Sequence, residues 1–127
     1  MPNASWTIAA RAENVAFVRQ SALDFLAGNG IVEPNLSDLQ LAVSEAVTNA
    51  VLHAFRDRTE PGTVDVRVSV DARHVEIFVR DDGTGMAPRQ DSPGLGLGLP
   101  LIRRLADQFD HREPKGGGTE LRMRFSR

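Results

Sequence analysis

The chain has 127 residues, of which 41% are hydrophobic and 25% charged, as in a single globular domain. A formal net charge of −2 without a basic stripe gives no electrostatic footprint for nucleic acid or an anionic membrane. No apolar run approaches the roughly 18 residues of a membrane span, the N-terminus lacks the layout of a signal peptide, and cysteine is absent. We therefore expect one cytoplasmic domain, residues 1–127, without disulfides and without contact with membrane or nucleic acid.

The first half of the chain predicts a short edge strand followed by two helices. Residues 4–10 have strand character, and apolar residues at helical spacing extend over about 13–27. The Gly-Asn-Gly run at 28–30 ends this helix. A second helix is predicted over 37–55, because Ser-Asp-Leu-Gln at its start matches a capping box. Its leucine, valine and alanine residues share one face, which we expect to pack on the core.

The second half predicts strands with one more helix between them. Alternating valines indicate a strand over 63–70, and a turn at 71–73 joins it to the next strand. The remaining predicted elements are a strand over 74–80, a glycine- and proline-rich loop over 81–98, a helix over 99–107, and strands over 108–112 and 119–125. This order predicts an α+β two-layer sandwich, with a mixed, mostly antiparallel sheet covered on one face by about three helices.

The second helix carries polar residues away from its apolar stripe. Glu45, Asn49 and His53 follow the i, i+4, i+8 rule and share a face. An asparagine oxygen suits a hard cation such as Mg²⁺, and a glutamate one turn away can accept a proton from an attacking hydroxyl. The alternative is a solvated polar face on an amphipathic helix. His53 by itself is more typical of a packing histidine than of a metal ligand.

A glycine-rich turn follows the strand at 74–80. Asp81 stands at the strand end and opens the sequence Asp-Asp-Gly-Thr-Gly-Met. Glycines permit a tight turn and close approach of a ligand to the backbone, and the carboxylate can accept a hydrogen bond from an exocyclic amino group such as that of adenine. An ordinary Asp-Gly turn is the alternative.

Two more glycine-rich stretches follow. Residues 94–99, Gly-Leu-Gly-Leu-Gly-Leu, open a helix whose first amides could cradle phosphate, although a flexible loop is equally compatible. The pattern is not the dinucleotide fingerprint, since Leu99 stands where a third glycine is required. A P-loop is excluded because Lys115 is the only lysine. The third stretch, Gly116-Gly117-Gly118-Thr119, enters the last strand, and a hairpin turn is its simplest interpretation.

Together, and in this order, the four motifs resemble those of the Bergerat-fold ATPases, which include gyrase, the ninety-kilodalton chaperone, histidine kinases and mismatch-repair proteins. LAVSEAVTNAVLHAF resembles the N box of the anti-sigma-factor serine kinases. DDGTGM resembles the first glycine box of the superfamily, GLGLGLPLIRRLAD the second, and GGGTELRMRF the closing Gly-Thr motif. The resemblance spans essentially the whole chain.

The resemblance implies a role for each matching residue. Asn49 would coordinate Mg²⁺, Glu45 would be the catalytic base and Asp81 would bind the adenine amino group. Arg19 matches the helix-one arginine that contacts the sigma factor and the antagonist protein in the family, although a solvated arginine is an equal alternative. The rest of the implied ATP pocket comprises Gly83, Gly85, Met86, Gly94, Gly96, Leu97, Gly98 and Thr119.

The expected function is that of an ATP- and Mg²⁺-dependent protein serine/threonine kinase. It would sequester a sigma factor, phosphorylate a serine on an anti-anti-sigma partner, and form a homodimer. Residues 86–93 give a lid shorter than in the sporulation-type kinases, with Arg89 as its only cation, which leaves the strength of catalysis open. The alternative is a nucleotide-gated binding module without catalysis. A histidine kinase or a gyrase-type ATPase fits less well, since no histidine lies in a phosphoacceptor pattern and no transducer domain is present.

Overall fold

A computed structural model describes residues 2–55, 62–83, 101–115 and 117–127, with the backbone alone at 53–55. Seven elements have defined bounds, and residues 101–105 are also helical. In chain order the seven are β1 (Asn3–Ala9), α1 (Ala12–Gly28), α2 (Asn35–Phe55), β2 (Thr63–Val70), β3 (His74–Asp81), β4 (Gln108–Arg112) and β5 (Thr119–Ser126).

The five strands form one sheet in the order β1-β2-β3-β5-β4. Every pairing between neighbouring strands is antiparallel. The α+β sandwich predicted from the sequence is therefore confirmed, with β1 at an edge as expected. Among the described strands the sheet is antiparallel rather than mixed.

One face of the sheet forms the core. Alternate residues of β2, β3 and β5 are buried, as the period of two in a half-covered strand requires. Helix α1 packs on β1 and β2, and α2 packs on β2 and β3. Each fully buried valine or leucine contributes about 1.5–3 kcal/mol relative to an exposed one. Because both helices contact β2, its buried valines stabilise the packing of α1 and of α2 on the sheet. The buried residues of β2 are Val64, Val66, Val68 and Val70.

Helix α2 begins two residues earlier than predicted. Its first residue is Asn35, so Ser37 lies inside the first turn and the predicted capping box is wrong. The backbone N–H of Ser37 donates to Glu33 Oε1 at 2.7 Å, and its hydroxyl donates to the same oxygen at 2.7 Å. A carboxylate just before the helix thus satisfies a first-turn N–H that has no partner within the helix.

The predicted third helix is shorter at its C-terminal end than 99–107. Residues 101–105 are helical, but Asp107 lies outside and links this segment to β5. Its N–H donates to the carbonyl of Arg124 at 2.8 Å, and its Oδ2 accepts the N–H of Ser126 at 2.7 Å. Residues 99 and 100 lie outside the described part. Among the helices that are described, none has the length and apolar character of a membrane span.

Candidate functional site

Three polar or charged side chains are buried in the described part of the chain, and all three are predicted site residues. Asn49, Asp81 and Thr119 expose 2%, 3% and 2% of their surface. Asp81 ends β3, Thr119 begins β5, and the two residues are direct partners across the strands. Because α2 packs on β3, the fold brings the helix of Asn49 over the strand that ends at Asp81.

The position of Asp81 follows from the alternation of β3. Val75, Ile77 and Val79 are buried beneath the helices, and Asp81 occupies the next inward position. The strand therefore extends one residue beyond the predicted Arg80, and a carboxylate replaces the apolar side chain that the pattern would otherwise continue. Burying a carboxylate costs several kcal/mol unless polar groups surround it, so this position indicates a site rather than a packing role.

The two adjacent aspartates have different partners. The N–H of Gly83 donates to Asp81 Oδ1 at 2.8 Å, which fixes the orientation of the buried carboxylate. Asp82 is exposed, and its Oδ1 accepts the N–H of Thr63 at 2.8 Å. Asp82 therefore fastens the turn to the start of β2, while Asp81 faces the interior. The alternative of a plain Asp-Gly turn explains Asp82 but leaves the burial of Asp81 without a reason.

Gly118, from the third glycine stretch, lies directly against this turn. The N–H of Gly118 donates to the carbonyl of Gly83 at 3.0 Å. Gly118 has a φ of +83°, and a Cβ atom built there would lie 2.1 Å from the carbonyl oxygen of Asp81. Only glycine allows this approach. Gly118 is thus a candidate site residue beyond those assigned from the sequence, where it was quoted only as part of the glycine run before Thr119.

Two buried polar atoms of the site have no hydrogen-bond partner in the part of the protein that is described. They are Asn49 Nδ2 and Thr119 Oγ1. Leaving a buried donor or hydroxyl unsatisfied costs about 1–3 kcal/mol, so such atoms are rare outside functional sites. Their chemistry suits a polar ligand: an amide N–H₂ for an anionic oxygen, and a hydroxyl for either a donor or an acceptor.

Glu45 lies at the boundary between the buried and exposed faces of α2. Ala42 and Ala46 beside it are fully buried, Thr48 is exposed, and Glu45 itself is partly buried. Asn49, one turn further along, is buried together with these alanines. The alternative of a solvated polar face is therefore wrong for Asn49. Glu45 keeps access to solvent while remaining one helical turn from the buried amide.

Several predicted site residues lie outside the described residues. They are Gly85, Met86, Gly94, Gly96, Leu97 and Gly98, together with Arg89 of the lid and the side chain of His53. Their roles remain predictions. Within the described ranges, no group of three or more His, Cys, Asp or Glu side chains is arranged to hold a metal ion alone.

Arg19 is separated from the buried cluster. It is exposed on α1 and lines a groove of about 500 Å³ between α1 and α2. Gln20, Ser37, Gln40, Leu41 and Ser44 form the rest of the groove lining. The groove is open to solvent, so this arginine belongs to a surface rather than to the interior pocket.

Comparison with known proteins shows which family the chain resembles. Residues 8–125 match the family described as the histidine kinase-like ATPase domain. An anti-sigma F factor from Pasteuria penetrans is 33% identical over 122 residues, which cover 87% of this chain and 81% of that protein. An anti-sigma F factor from Clostridium beijerinckii is 30% identical over 122 residues, covering 87% and 85% of the two chains.

The fold is also similar to that of a solved structure. A Mycobacterium tuberculosis chain with RsbU and RsbW domains superposes with a TM-score of 0.77 at 24% identity. The match covers 100% of this chain and 33% of the other. The resemblance inferred from the four ordered motifs is confirmed.

Proposed function

The chain belongs to the histidine kinase-like ATPase domain family, within its anti-sigma factor group, and we propose that it is an ATP-dependent protein serine/threonine kinase. Its substrate is a serine hydroxyl on an anti-anti-sigma partner, and it also sequesters a sigma factor. The observation that carries the proposal is the buried trio of Asn49, Asp81 and Thr119, two of which hold polar atoms without a hydrogen-bond partner among the described residues. A nucleotide with a polar base and an anionic tail fits that combination.

The adenine end of the pocket is assigned to Asp81 and Thr119. The carboxylate of Asp81 accepts a hydrogen bond from the exocyclic amino group of adenine. The N–H of Gly83 holds this carboxylate in a fixed orientation through Oδ1. Thr119 is the cross-strand partner of Asp81, so its hydroxyl lies beside the same group and can bond the base or a bridging water. A guanine base would present a carbonyl oxygen to Asp81, and the two acceptors would repel.

The phosphate end is assigned to α2. The buried Asn49 amide supplies an oxygen for Mg²⁺ and an N–H₂ that has no other described partner. Mg²⁺ would neutralise charge on the phosphate oxygens, the main requirement of phosphoryl transfer. The fit lies in the neutral amide, because a buried carboxylate at this position would repel the phosphates. The amides of Gly96 and Gly98 are proposed to complete the phosphate contacts.

Glu45 is assigned as the base. Its position one turn before Asn49 places a solvent-accessible carboxylate next to the proposed phosphate end. It takes the proton of the serine hydroxyl as the bond from the serine oxygen to the terminal phosphorus forms and the bond to the leaving ADP oxygen breaks. Glu45 acts on the incoming hydroxyl and is not assigned a contact with ATP, so its loss slows transfer without removing nucleotide binding.

The proposed setting is a cytoplasmic homodimer, with Arg19 as a contact for the sigma factor and the antagonist. Arg19 is exposed and lines the groove between α1 and α2, which is where a protein partner can reach it. The edge strand β1 and the adjacent α1 are the proposed dimer surface. The proposal includes no nucleic acid or membrane contact.

Phosphate transfer from ATP to a purified anti-anti-sigma domain tests the proposal. The wild type is expected to transfer the label, Glu45→Gln to lose at least about 100-fold in rate at unchanged ATP affinity, and Asn49→Ala to lose Mg²⁺-dependent affinity. Glu76→Gln is the matched control, because Glu76 is exposed on the face of β3 opposite its buried valines and isoleucine.

The outcomes separate the kinase from the binding module. ATP-dependent complex formation without transfer in the wild type would support a nucleotide-gated module and refute the kinase. Full transfer by Glu45→Gln would refute only the assignment of Glu45 as the base and would leave the kinase proposal standing.

A further inference from the structure

The outward side of α2 carries a regular stripe of residues. Asp38, Leu41, Glu45, Thr48 and Leu52 recur at alternating intervals of three and four, so they lie in one row along the helix. Asp38 and Thr48 are exposed, and Glu45 is partly buried. The row from Leu41 to Leu52 covers about 16 Å at 1.5 Å per residue. We call these five residues the α2 stripe.

The two leucines of the α2 stripe are anomalous for a solvated helix face. Leu41 exposes 40% and Leu52 exposes 52% of its surface, whereas the other described leucines of this helix, Leu36 and Leu39, are partly or fully buried. Leu41 and Leu52 lie on either side of Glu45, one turn before it and two turns after it. Exposed apolar surface beside a functional group is one of the marks of a protein-contact surface.

We propose that the α2 stripe is the docking surface for the phosphoacceptor protein. The inference rests on the proposed kinase function, because it is Glu45 that identifies the occupant. The inward neighbours of Glu45, Ala42 and Ala46, are fully buried, so a protein hydroxyl reaches the carboxylate from the stripe side. An acceptor segment seated there rests apolar side chains on Leu41 and Leu52 and holds its serine over Glu45.

The charge and size of the α2 stripe select this occupant over a second copy of the chain. Helix α2 contains no lysine or arginine, and the stripe carries two carboxylates, which favours a partner segment with apolar and basic residues. Two partly exposed leucines fall far short of the apolar core of a stable homodimer interface, which buries well over about 1,000 Å². A small contact suits a substrate that must leave after each turnover, and a second copy seated here would cover Glu45.

The groove between α1 and α2 continues this surface. Leu41 lines both the groove and the stripe, and the groove extends from it to Arg19 and Gln20. A partner that contacts Leu41 can therefore extend across the groove to α1. This continuity connects the stripe to the surface already proposed for partner contact.

The test replaces both leucines with a polar residue of good helix propensity. The variant Leu41→Gln/Leu52→Gln is compared with wild type and with Val32→Gln, a control that changes an exposed apolar residue (70%) between α1 and α2 instead. We expect the KM for a purified anti-anti-sigma domain encoded in the same genome to rise about tenfold. The kcat and the affinity for a fluorescent ATP analogue should stay within about twofold, as should all parameters of Val32→Gln.

The other possible outcomes bear on the docking inference, on the kinase proposal, or on both. An unchanged KM, or a fall in kcat or ATP affinity instead, would overturn the docking inference. Loss of self-association in the double variant, measured by sedimentation, would assign the stripe to a second copy and overturn it as well. If the wild type binds the domain without phosphorylating it, the kinase proposal fails. The dissociation constants of the same three proteins then replace KM: a rise in the double variant alone supports the docking surface, and equal values refute it. Absence of both binding and transfer with every such domain would overturn both.

Discussion

Gly118→Ala tests how the closing glycine turn builds the pocket. The added Cβ would lie 2.1 Å from the carbonyl oxygen of Asp81, more than 1 Å short of the roughly 3.5 Å at which nonbonded heavy atoms rest. The contacting atom belongs to the backbone of β3 and cannot rotate away. The left-handed φ of +83° adds about 1–2 kcal/mol and the overpacking about 1–3 kcal/mol, so we expect a loss near 3 kcal/mol in unfolding free energy.

Two other glycines provide matched controls for the same substitution. Gly117→Ala combines a φ of +98° with a nearest neighbour at 3.9 Å, so it tests backbone strain without the clash. Gly28→Ala, at the last residue of α1, meets no atom within 4 Å and should stabilise by about 0.5–1 kcal/mol. From the most to the least stable protein, we expect the order Gly28→Ala, wild type, Gly117→Ala and Gly118→Ala.

Urea unfolding of the four proteins measures their unfolding free energies, and titration with a fluorescent ATP analogue measures the affinity of the site for nucleotide. Native domains are stable by about 5–15 kcal/mol, so Gly118→Ala should remain folded and bind ATP more weakly, because Asp81 must move. If Gly118→Ala unfolds at the same urea concentration as Gly117→Ala and binds ATP normally, the close approach of the two turns is refuted.

Two further substitutions test the unsatisfied hydroxyl and the charged turn. Thr119→Val removes a buried oxygen without a described partner at constant shape, so the ligand-free protein should gain up to about 1 kcal/mol in unfolding free energy while ATP affinity falls several-fold; a loss of stability would contradict this. In Asp71, hydrogen bonds from the backbone N–H groups of Arg73 and His74 hold the pKa below its ordinary value of 3.8. The stabilisation is therefore complete above that value and is lost as pH falls through the lower folded-state pKa. The unfolding free energies of wild type and Asp71→Asn should differ at pH 7 and converge below about pH 3.8; a constant difference would refute the assignment.

The sequence predicted those parts of the site that follow from local pattern. The sequence located Asp81 at a strand end and the glycine run before Thr119, and continuing the alternation of Val75, Ile77 and Val79 by one more step explains why Asp81 is buried. The antiparallel pairing of β2 with β3 and of β4 with β5 could be anticipated, because a short connection joins the two strands of each pair. These features depend on neighbours in sequence, and sequence periodicity records them.

Tertiary contacts were not predictable in the same way. Asn49 lies on a polar helix face by periodicity, yet it is buried, because the small side chains of Ala42 and Ala46 let that face approach other elements. The start of α2 was misplaced because a carboxylate before the helix, that of Glu33, bonds Ser37 in place of the expected capping box. The contact between Gly118 and Asp81 joins residues far apart in the chain, and no local pattern records it.

The central claim is that the buried carboxylate of Asp81 reads the base of a bound nucleotide, and calorimetric titration of the wild-type protein with ATP and with GTP, both with Mg²⁺, tests it most directly. A buried acceptor left facing the guanine carbonyl loses its hydrogen bond, so we expect ATP to bind at least about 100-fold more tightly than GTP. Equal affinities for the two nucleotides, or no measurable binding of ATP, would contradict the account.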